Sequence, residues 1–284
     1  MLDVGQRRGG VPLAVGLVVT AVASLQFGAG YAATLFDDLG PGGAAFLRLA
    51  IAAVVLLALW RPRLRGRARH ELATAALFGL ALGAMNVAIY ASFDRIPLGI
   101  AVTIEFVGPL GVAIAGSRRT LDGLWVLLAA AGILLLADRG GGGLDGLGVA
   151  FALCAGATWS AYIVLSQRTG RLFAGASGLA LAMAVGAVAA APLGIAQAGG
   201  ALLHPGLLAA GAAVALASSV VPYSLELEAL RRLPARVFGI LMSLEPAVAA
   251  LAGLVVLGQA LSAREWLAIA LVVAASAGAA ASGH

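Results

Sequence analysis

Long uncharged stretches separated by short charged segments dominate the sequence. Residues 9–36, 72–93 and 146–167 contain no charged residue at all. Each stretch is long enough for a membrane-spanning helix of about 20 residues. The pattern therefore predicts a chain that crosses a membrane repeatedly.

The longest uncharged stretch, residues 172–225, is 54 residues long and contains a helix-breaking cluster around Gly199, Gly200, His204 and Pro205. This cluster divides the stretch into two helices. The same reasoning along the chain predicts ten spans, near residues 11–31, 42–60, 72–93, 98–116, 121–137, 146–165, 173–196, 206–225, 237–257 and 266–282. The predicted fold class is an all-α polytopic membrane protein with ten transmembrane helices.

The composition agrees with the hydropathy pattern. Hydrophobic residues make up 62% of the chain and charged residues 11%, and the mean hydropathy is +1.02. A soluble domain has about 25% charged residues, so a soluble globular protein is excluded. Disorder is excluded by the low charge, and an intrachain disulfide is excluded because Cys154 is the only cysteine.

The arginines indicate an orientation. All 18 basic residues are Arg, and 14 of them lie in the N-terminal segment and in every second predicted loop: Arg7, Arg8, Arg61, Arg63, Arg65, Arg67, Arg69, Arg118, Arg119, Arg168, Arg171, Arg231, Arg232 and Arg236. The positive-inside rule then places both termini in the cytoplasm. Short clusters between apolar runs also differ from the continuous basic face of a nucleic-acid-binding protein, so no nucleic-acid partner is expected. We interpret the first run as a retained helix and not as a signal peptide.

Two segments match at an offset of 137 residues. Arg95-Ile-Pro97 aligns with Arg232-Leu-Pro234, and Pro109 aligns with Pro246. Chance similarity in a chain rich in Ala, Gly and Leu is the alternative explanation. A true repeat of five helices makes residues 1–139 and 140–284 two inverted halves, with the substrate site near the midplane between them. The glycine-rich residues 140–143 are then the linker, on the outer face.

Two acidic residues lie in the middle of predicted spans. A charge at the bilayer centre costs about 2.5–3.5 kcal/mol, so Glu105 and Glu245 are expected to face a cavity or a partner. Pro109 removes the backbone hydrogen bond to the carbonyl of Glu105, and Pro246 removes the one to the carbonyl of Met242. Each helix thus offers a carboxyl group close to a free carbonyl. Helix-packing hydrogen bonds are the alternative role for both glutamates.

Other polar residues within the spans are cavity-lining candidates or, alternatively, interfacial and packing residues. Those that we select as candidates are Gln26, Asn86, Tyr90, Trp159, Tyr162 and Tyr223. Glu226 is a further candidate to face the cavity, and a position away from the cavity is the alternative. Glu228 is expected to pair with the arginines that follow it. Arg48 is expected to snorkel to the outer interface or to pair with Asp37 or Asp38.

The sequence offers little for catalysis. His70, His204 and His284 are not spaced with Cys or acidic residues as a metal site requires, and Cys154 has no recognisable base nearby. We therefore expect no enzyme activity, no metal and no cofactor.

Several motifs resemble those of EamA-domain permeases in the drug/metabolite transporter superfamily, and more closely those of bacterial threonine/homoserine exporters. They are Asp94-Arg-Ile-Pro-Leu-Gly-Ile-Ala-Val with Glu105-Phe-Val-Gly-Pro109, Trp159-Ser-Ala-Tyr162, Pro222-Tyr-Ser-Leu-Glu226 with Leu233-Pro234, and Met242-Ser-Leu-Glu245-Pro246. The resemblance covers nearly the whole chain. Gln259 is a departure, because it stands where the family usually has Glu.

This resemblance implies efflux of small amino acids across the inner membrane, driven by protons, with Glu105, Glu226 and Glu245 at positions where such exporters look similar. With few intramembrane cations besides Arg48, helix N-termini or backbone N–H groups are expected to hold the substrate carboxylate. Permeases for other metabolites, lipid flippase subunits and assembly scaffolds remain alternatives. The oligomeric state is open.

Overall fold

The computed structural model describes residues 4–115, 121–137 and 143–282, and every regular element among them is helical. The α-helices are α1 (Val4–Ala33), α2 (Phe36–Trp60), α3 (Arg69–Phe93), α4 (Leu98–Glu105), α5 (Val107–Ala115), α6 (Leu121–Ala137), α7 (Gly146–Leu172), α8 (Ser177–Ala198), α9 (Pro205–Ala215), α10 (Val221–Leu230), α11 (Ala235–Met242), α12 (Glu245–Leu257) and α13 (Ala263–Ser282). A 3₁₀ turn (Gly199–Leu203) follows α8, and a π-helical turn (Leu216–Val220) joins α9 to α10.

Nine segments of the described chain are long and apolar enough to cross a membrane, and α6 contains a shorter apolar stretch, Gly123–Leu136. Their outward faces carry large apolar side chains such as Val54, which is 68% exposed, and Val188, which is 74% exposed. Lipid solvates such faces, whereas the backbone polar groups are satisfied within the helices. The chain is a polytopic helical membrane protein.

Close helix packing depends on small residues. A methyl group added at Gly83 of α3 would lie 2.9 Å from the Cα atom of Gly186 in α8. One added at Gly99 of α4 would lie 2.6 Å from the Cα atom of Ala250 in α12. Lipid provides no hydrophobic drive for helix association, so backbones that approach this closely supply the van der Waals contact that replaces it.

The helix pairs that pack together follow a reciprocal pattern. Helix α2 packs mainly against α8, and α6 packs against α13. The third helix of the first half, α3, packs against α7, while α1 packs against α10 and the π-helical turn. The helices up to Ala137 therefore pack mainly against the helices from Gly146 onward.

Prolines interrupt two helices at equivalent places. Helix α4 ends at Glu105 and α5 begins at Val107, whereas α11 ends at Met242 and α12 begins at Glu245. Both breaks lie at the carbonyls that Pro109 and Pro246 were expected to free, and α4 and α11 are preceded by Pro97 and Pro234. The two segments matched at an offset of 137 residues thus share one local structure.

Contacts between loops identify those that share an end of the bundle. At one end, an Arg67 guanidinium N–H donates to the Leu172 carbonyl at 2.8 Å. At the other end, Arg95 pairs with Asp145 at 3.0 Å, so that the start of α7 lies beside the start of α4. The Arg95 hydrogen bond and the Leu147 backbone N–H lower the pKa of Asp145 below its usual value.

Most predicted span boundaries differ from the helix bounds by a few residues. The largest extensions are at the start of α1, which begins at Val4 instead of residue 11, at the start of α2, which begins at Phe36 instead of residue 42, and at the end of α7, which continues past residue 165 to Leu172. Charged residues mark the end of the hydrocarbon layer, but a helix continues beyond it into the headgroup region. Most of the predicted linker, residues 140–142, lies outside the described residues, as do Arg118, Arg119 and Arg139.

Candidate functional site

A cavity of about 500 Å³ lies at the centre of the bundle, lined by residues of α1, α2, α3, α4, α5, α7, α10, α11, α12 and α13. Ten of the eleven residues selected from the sequence line it: Gln26, Asn86, Tyr90, Glu105, Pro109, Trp159, Tyr162, Tyr223, Glu226 and Glu245. The eleventh, Pro246, is buried within α12 and is not among the lining residues. Both the size and the mixed polar and apolar lining are typical of small-molecule sites.

Glu245 is the first residue of α12, where Pro246 can follow because the first helical turn needs no backbone donor. Its side chain is 2% exposed. Gln26 on α1 donates from Nε2 to Glu245 Oε2 at 3.3 Å, and Oε1 has no hydrogen-bond partner among the described residues. A buried carboxyl oxygen without a partner is available for a proton or a cationic ligand.

Glu105 is the last residue of α4, immediately before the break, and its side chain is 6% exposed. A methyl group added at Gly156 of α7 would lie 2.6 Å from the Glu105 carbonyl oxygen. Helix α7 thus packs directly on the backbone that Pro109 leaves free. This contact fixes the position from which the Glu105 carboxyl group reaches the cavity.

Glu226 faces the cavity, whereas Glu228 pairs with Arg231 at 3.3 Å as expected for a surface ion pair. The two glutamates are two positions apart on α10, so their side chains point in different directions. The cavity therefore holds three carboxyl groups among its described lining residues: Glu105, Glu226 and Glu245.

The expectation for Arg48 was wrong. Its side chain is 5% exposed and lines the central cavity, instead of snorkelling outward or pairing with Asp37 or Asp38. The guanidinium group bonds to Ser218 and Ser219 and to the Tyr90 hydroxyl. Ser218 and Ser219 belong to the π-helical turn between α9 and α10, so Arg48 of α2 is held from within the bundle.

A second cavity, of about 440 Å³, adjoins the first. The two share Tyr162, Ser166, Tyr223, Glu226 and Leu230, and the second extends to Trp60 and Arg231. These last residues lie at the end of the bundle that carries the arginine-rich loops. The central cavity thus continues towards that end.

Aromatic side chains occupy the opposite end of the central cavity. The Tyr90 ring lies 5.7 Å from that of Phe36 and 5.8 Å from that of Phe93, measured between centroids. A second aromatic pair lines the cavity at the break between α4 and α5, where the Trp159 and Phe106 rings are nearly perpendicular and their centroids are 5.2 Å apart. Tyr90 and Phe93 give the cavity an aromatic lining on the last turn of α3.

Within residues 4–115, 121–137 and 143–282, no group of three or more His, Cys, Asp or Glu side chains is placed to hold a metal ion.

Comparisons with known proteins place the chain in a family. Residues 146–280 match the model of the EamA-like transporter family. The chain is 42% identical to "Threonine/homoserine exporter RhtA" of Escherichia coli K12 over 268 residues, covering 94% of this chain and 90% of that protein. The chain belongs to the EamA-like transporter family. A protein of the same name from Salmonella typhimurium SL1344 is also 42% identical, over 92% of this chain and 89% of its own.

A solved crystal structure has the same fold as this EamA-family chain, with a TM-score of 0.60 and 22% sequence identity, and the match covers 92% of this chain and 95% of the other.

Gln259, which stands where the family usually has Glu, makes a local contact in the structure. Its side-chain oxygen accepts a hydrogen bond from the backbone N–H of Leu98 at 2.9 Å, at the start of α4. An amide is sufficient for this contact, so no acid is needed at the position.

Proposed function

We propose that this EamA-family protein exports threonine, homoserine and related small amino acids from the cytoplasm in exchange for protons. The observation that carries the proposal is one cavity lined by a guanidinium group and three carboxyl groups. An amino acid is a zwitterion, so its site needs groups of both charges within an otherwise apolar wall. The 42% identity to proteins named as threonine/homoserine exporters supports this class of substrate.

We further propose that the two halves are inverted repeats with ten crossings. The matched breaks after Glu105 and Met242 support the repeat, as does the reciprocal helix packing. The Arg95–Asp145 ion pair supports a crossing by α6, since the chain must return to the end where α4 began. Ten crossings place both termini on one side, and the arginine distribution favours the cytoplasm of an inner-membrane protein.

Glu245 and Glu105 are the coupling acids in this proposal. Burial disfavours a carboxylate whose negative charge is not balanced by a nearby positive charge. Each glutamate is therefore expected either to carry a proton or to bind the substrate ammonium group. Protons entering from outside displace the amino acid, and amino acid entering from the cytoplasm displaces the protons. This competition makes outward transport of one depend on inward transport of the other.

The test is uptake of labelled threonine into inverted membrane vesicles, where the cytoplasmic face is outside. With the vesicle interior acidified, uptake above the level of vesicles lacking the protein is expected, and an uncoupler should abolish the gradient-driven part. Labelled homoserine should behave in the same way. The absence of uptake of both, with the protein inserted in the membrane, would contradict the substrate class and favour a permease for another metabolite.

A further inference from the structure

Arg48 is held at the wall of the central cavity by residues of two other segments, α3 and the π-helical turn. Its Nε donates to Ser219 Oγ at 2.9 Å, one terminal nitrogen donates to the Tyr90 hydroxyl at 3.2 Å, and the other donates to the Ser218 carbonyl at 2.6 Å. The guanidinium carbon also lies 5.7 Å from the Tyr90 ring centre. The orientation of the group is therefore fixed before any ligand binds.

A proline creates the acceptor for Arg48. Pro222 has no N–H, so it leaves free the carbonyl four residues earlier, which belongs to Ser218. The chain forms a π-helical turn here, in which the Val221 N–H donates to the Leu216 carbonyl. Such turns are frequent at functional sites. Ser24 of α1 supports the turn from the other side by donating to the Ala217 carbonyl at 2.6 Å.

The guanidinium group retains unused donors. It has five N–H bonds, of which the three contacts use one on each nitrogen. One N–H therefore remains on each terminal nitrogen. Two N–H groups on the terminal nitrogens of a guanidinium group can bind a carboxylate through parallel hydrogen bonds.

No carboxylate of the described residues lies within 4.0 Å of this guanidinium group. The charge of Glu105 acts on Arg48 across the cavity without a direct ion pair between them. A cation buried inside a membrane is costly and marks a ligand or ion pathway. The buried, unpartnered oxygen of Glu245 lines the same cavity and offers the opposite charge.

We propose that Arg48 binds the α-carboxylate of the transported amino acid, while the carboxyl groups of the cavity receive its ammonium group. This inference rests on the proposed function and replaces the expectation that helix N-termini or backbone N–H groups hold the carboxylate. Ser218, Ser219 and Tyr90 are positioning residues, because they act on the substrate through Arg48.

The experiment compares threonine with threoninamide, which keeps the ammonium and hydroxyl groups but replaces the carboxylate with a neutral amide. Each compound competes with labelled threonine during exchange in proteoliposomes without a proton gradient, and each is also titrated against the thermal unfolding of the purified protein. In the wild type, threoninamide should bind about 10- to 100-fold more weakly than threonine, as expected for a charge-assisted pair.

Arg48→Gln should weaken threonine binding by a similar factor and change threoninamide binding by less than about threefold. Arg48→Lys keeps the charge but loses the fork, so it should weaken threonine alone, and by less. Arg95→Gln is the matched control at an exposed site and should leave both affinities unchanged. The thermal titration measures binding even in variants that fold but do not transport. If Arg48→Gln does not fold, the two affinities are compared in Arg48→Lys instead.

Equal affinities for the two compounds in the wild type, or equal weakening of both by the Arg48 variants, would overturn the inference and leave Arg48 as a link between helices. Because these outcomes require threonine binding by the wild type, they leave the proposed function standing. A wild type that binds and exchanges neither threonine nor homoserine overturns the proposed function, and this inference with it.

Discussion

Gln26 and Glu245 join the first helix to the start of α12 through a hydrogen bond of 3.3 Å at the wall of the central cavity. The amide occupies one carboxyl oxygen and leaves the other without a partner among the described residues. Glu245 is thus positioned by one oxygen and available for exchange at the other. In the proposed exchange, this oxygen is the one that a proton or the substrate ammonium group would take.

The first prediction is that Glu245→Gln abolishes uptake driven by a proton gradient and leaves membrane insertion intact. A glutamine preserves the shape and can still accept from Gln26, but it cannot exchange a proton or neutralise an ammonium group. Uptake of labelled threonine into inverted vesicles at several pH values measures the effect.

The matched control for this variant is Glu71→Gln at the start of α3. Glu71 accepts from the backbone N–H of Ala68 at 3.1 Å, which a glutamine can also do, and it lies outside both cavities. Its transport should equal that of the wild type. Unchanged gradient-driven uptake and pH dependence in Glu245→Gln would assign Glu245 to packing.

Glu105→Gln should change transport in the same direction as Glu245→Gln, but less. Glu105 also lies at a helix break. The residue 137 positions later is Met242, so the matching position in the second segment carries no acid. The ratio of gradient-driven uptake to gradient-free exchange measures this, because it isolates coupling from binding. If both glutamine variants keep the wild-type ratio, Glu226 becomes the next acid to test.

The proline pattern shows how far the sequence predicts this site. Pro109 and Pro246 located two breaks, and with them Glu105 and Glu245, because the rule needs only the position of the proline. The same rule at Pro222 predicts a free carbonyl at Ser218, but the sequence does not show which side chain donates a hydrogen bond to it. Arg48 lies 170 residues away in the chain, so only tertiary packing brings the two together.

The contact between α4 and α7 predicts a difference between two glycines of one helix. Gly156→Ala should destabilise the protein by about 1–3 kcal/mol, because its new methyl group would lie 2.6 Å from the Glu105 carbonyl oxygen. Gly170→Ala, with no atom within 4 Å of the added methyl group, should stabilise α7 by about 0.5–1 kcal/mol through helix propensity. Thermal unfolding of the purified variants gives the comparison. Similar unfolding temperatures would mean that the helices separate readily at this contact.

The last prediction concerns orientation and uses two exposed loop positions at opposite ends of the bundle. In a Cys154→Ala background, a cysteine at His204 should react with a membrane-impermeant thiol reagent added to spheroplasts, because the proposed topology places the turn after α8 on the outer side. A cysteine at Arg65, in the arginine-rich loop between α2 and α3, should react only after the membrane is opened. The loop contacts support this assignment, since Arg67 bonds to Leu172 at one end while Gln197 accepts from the Gly42 N–H at the other. The reverse labelling pattern would invert the topology, and the cavity that continues to the arginine-rich loops would then face outward.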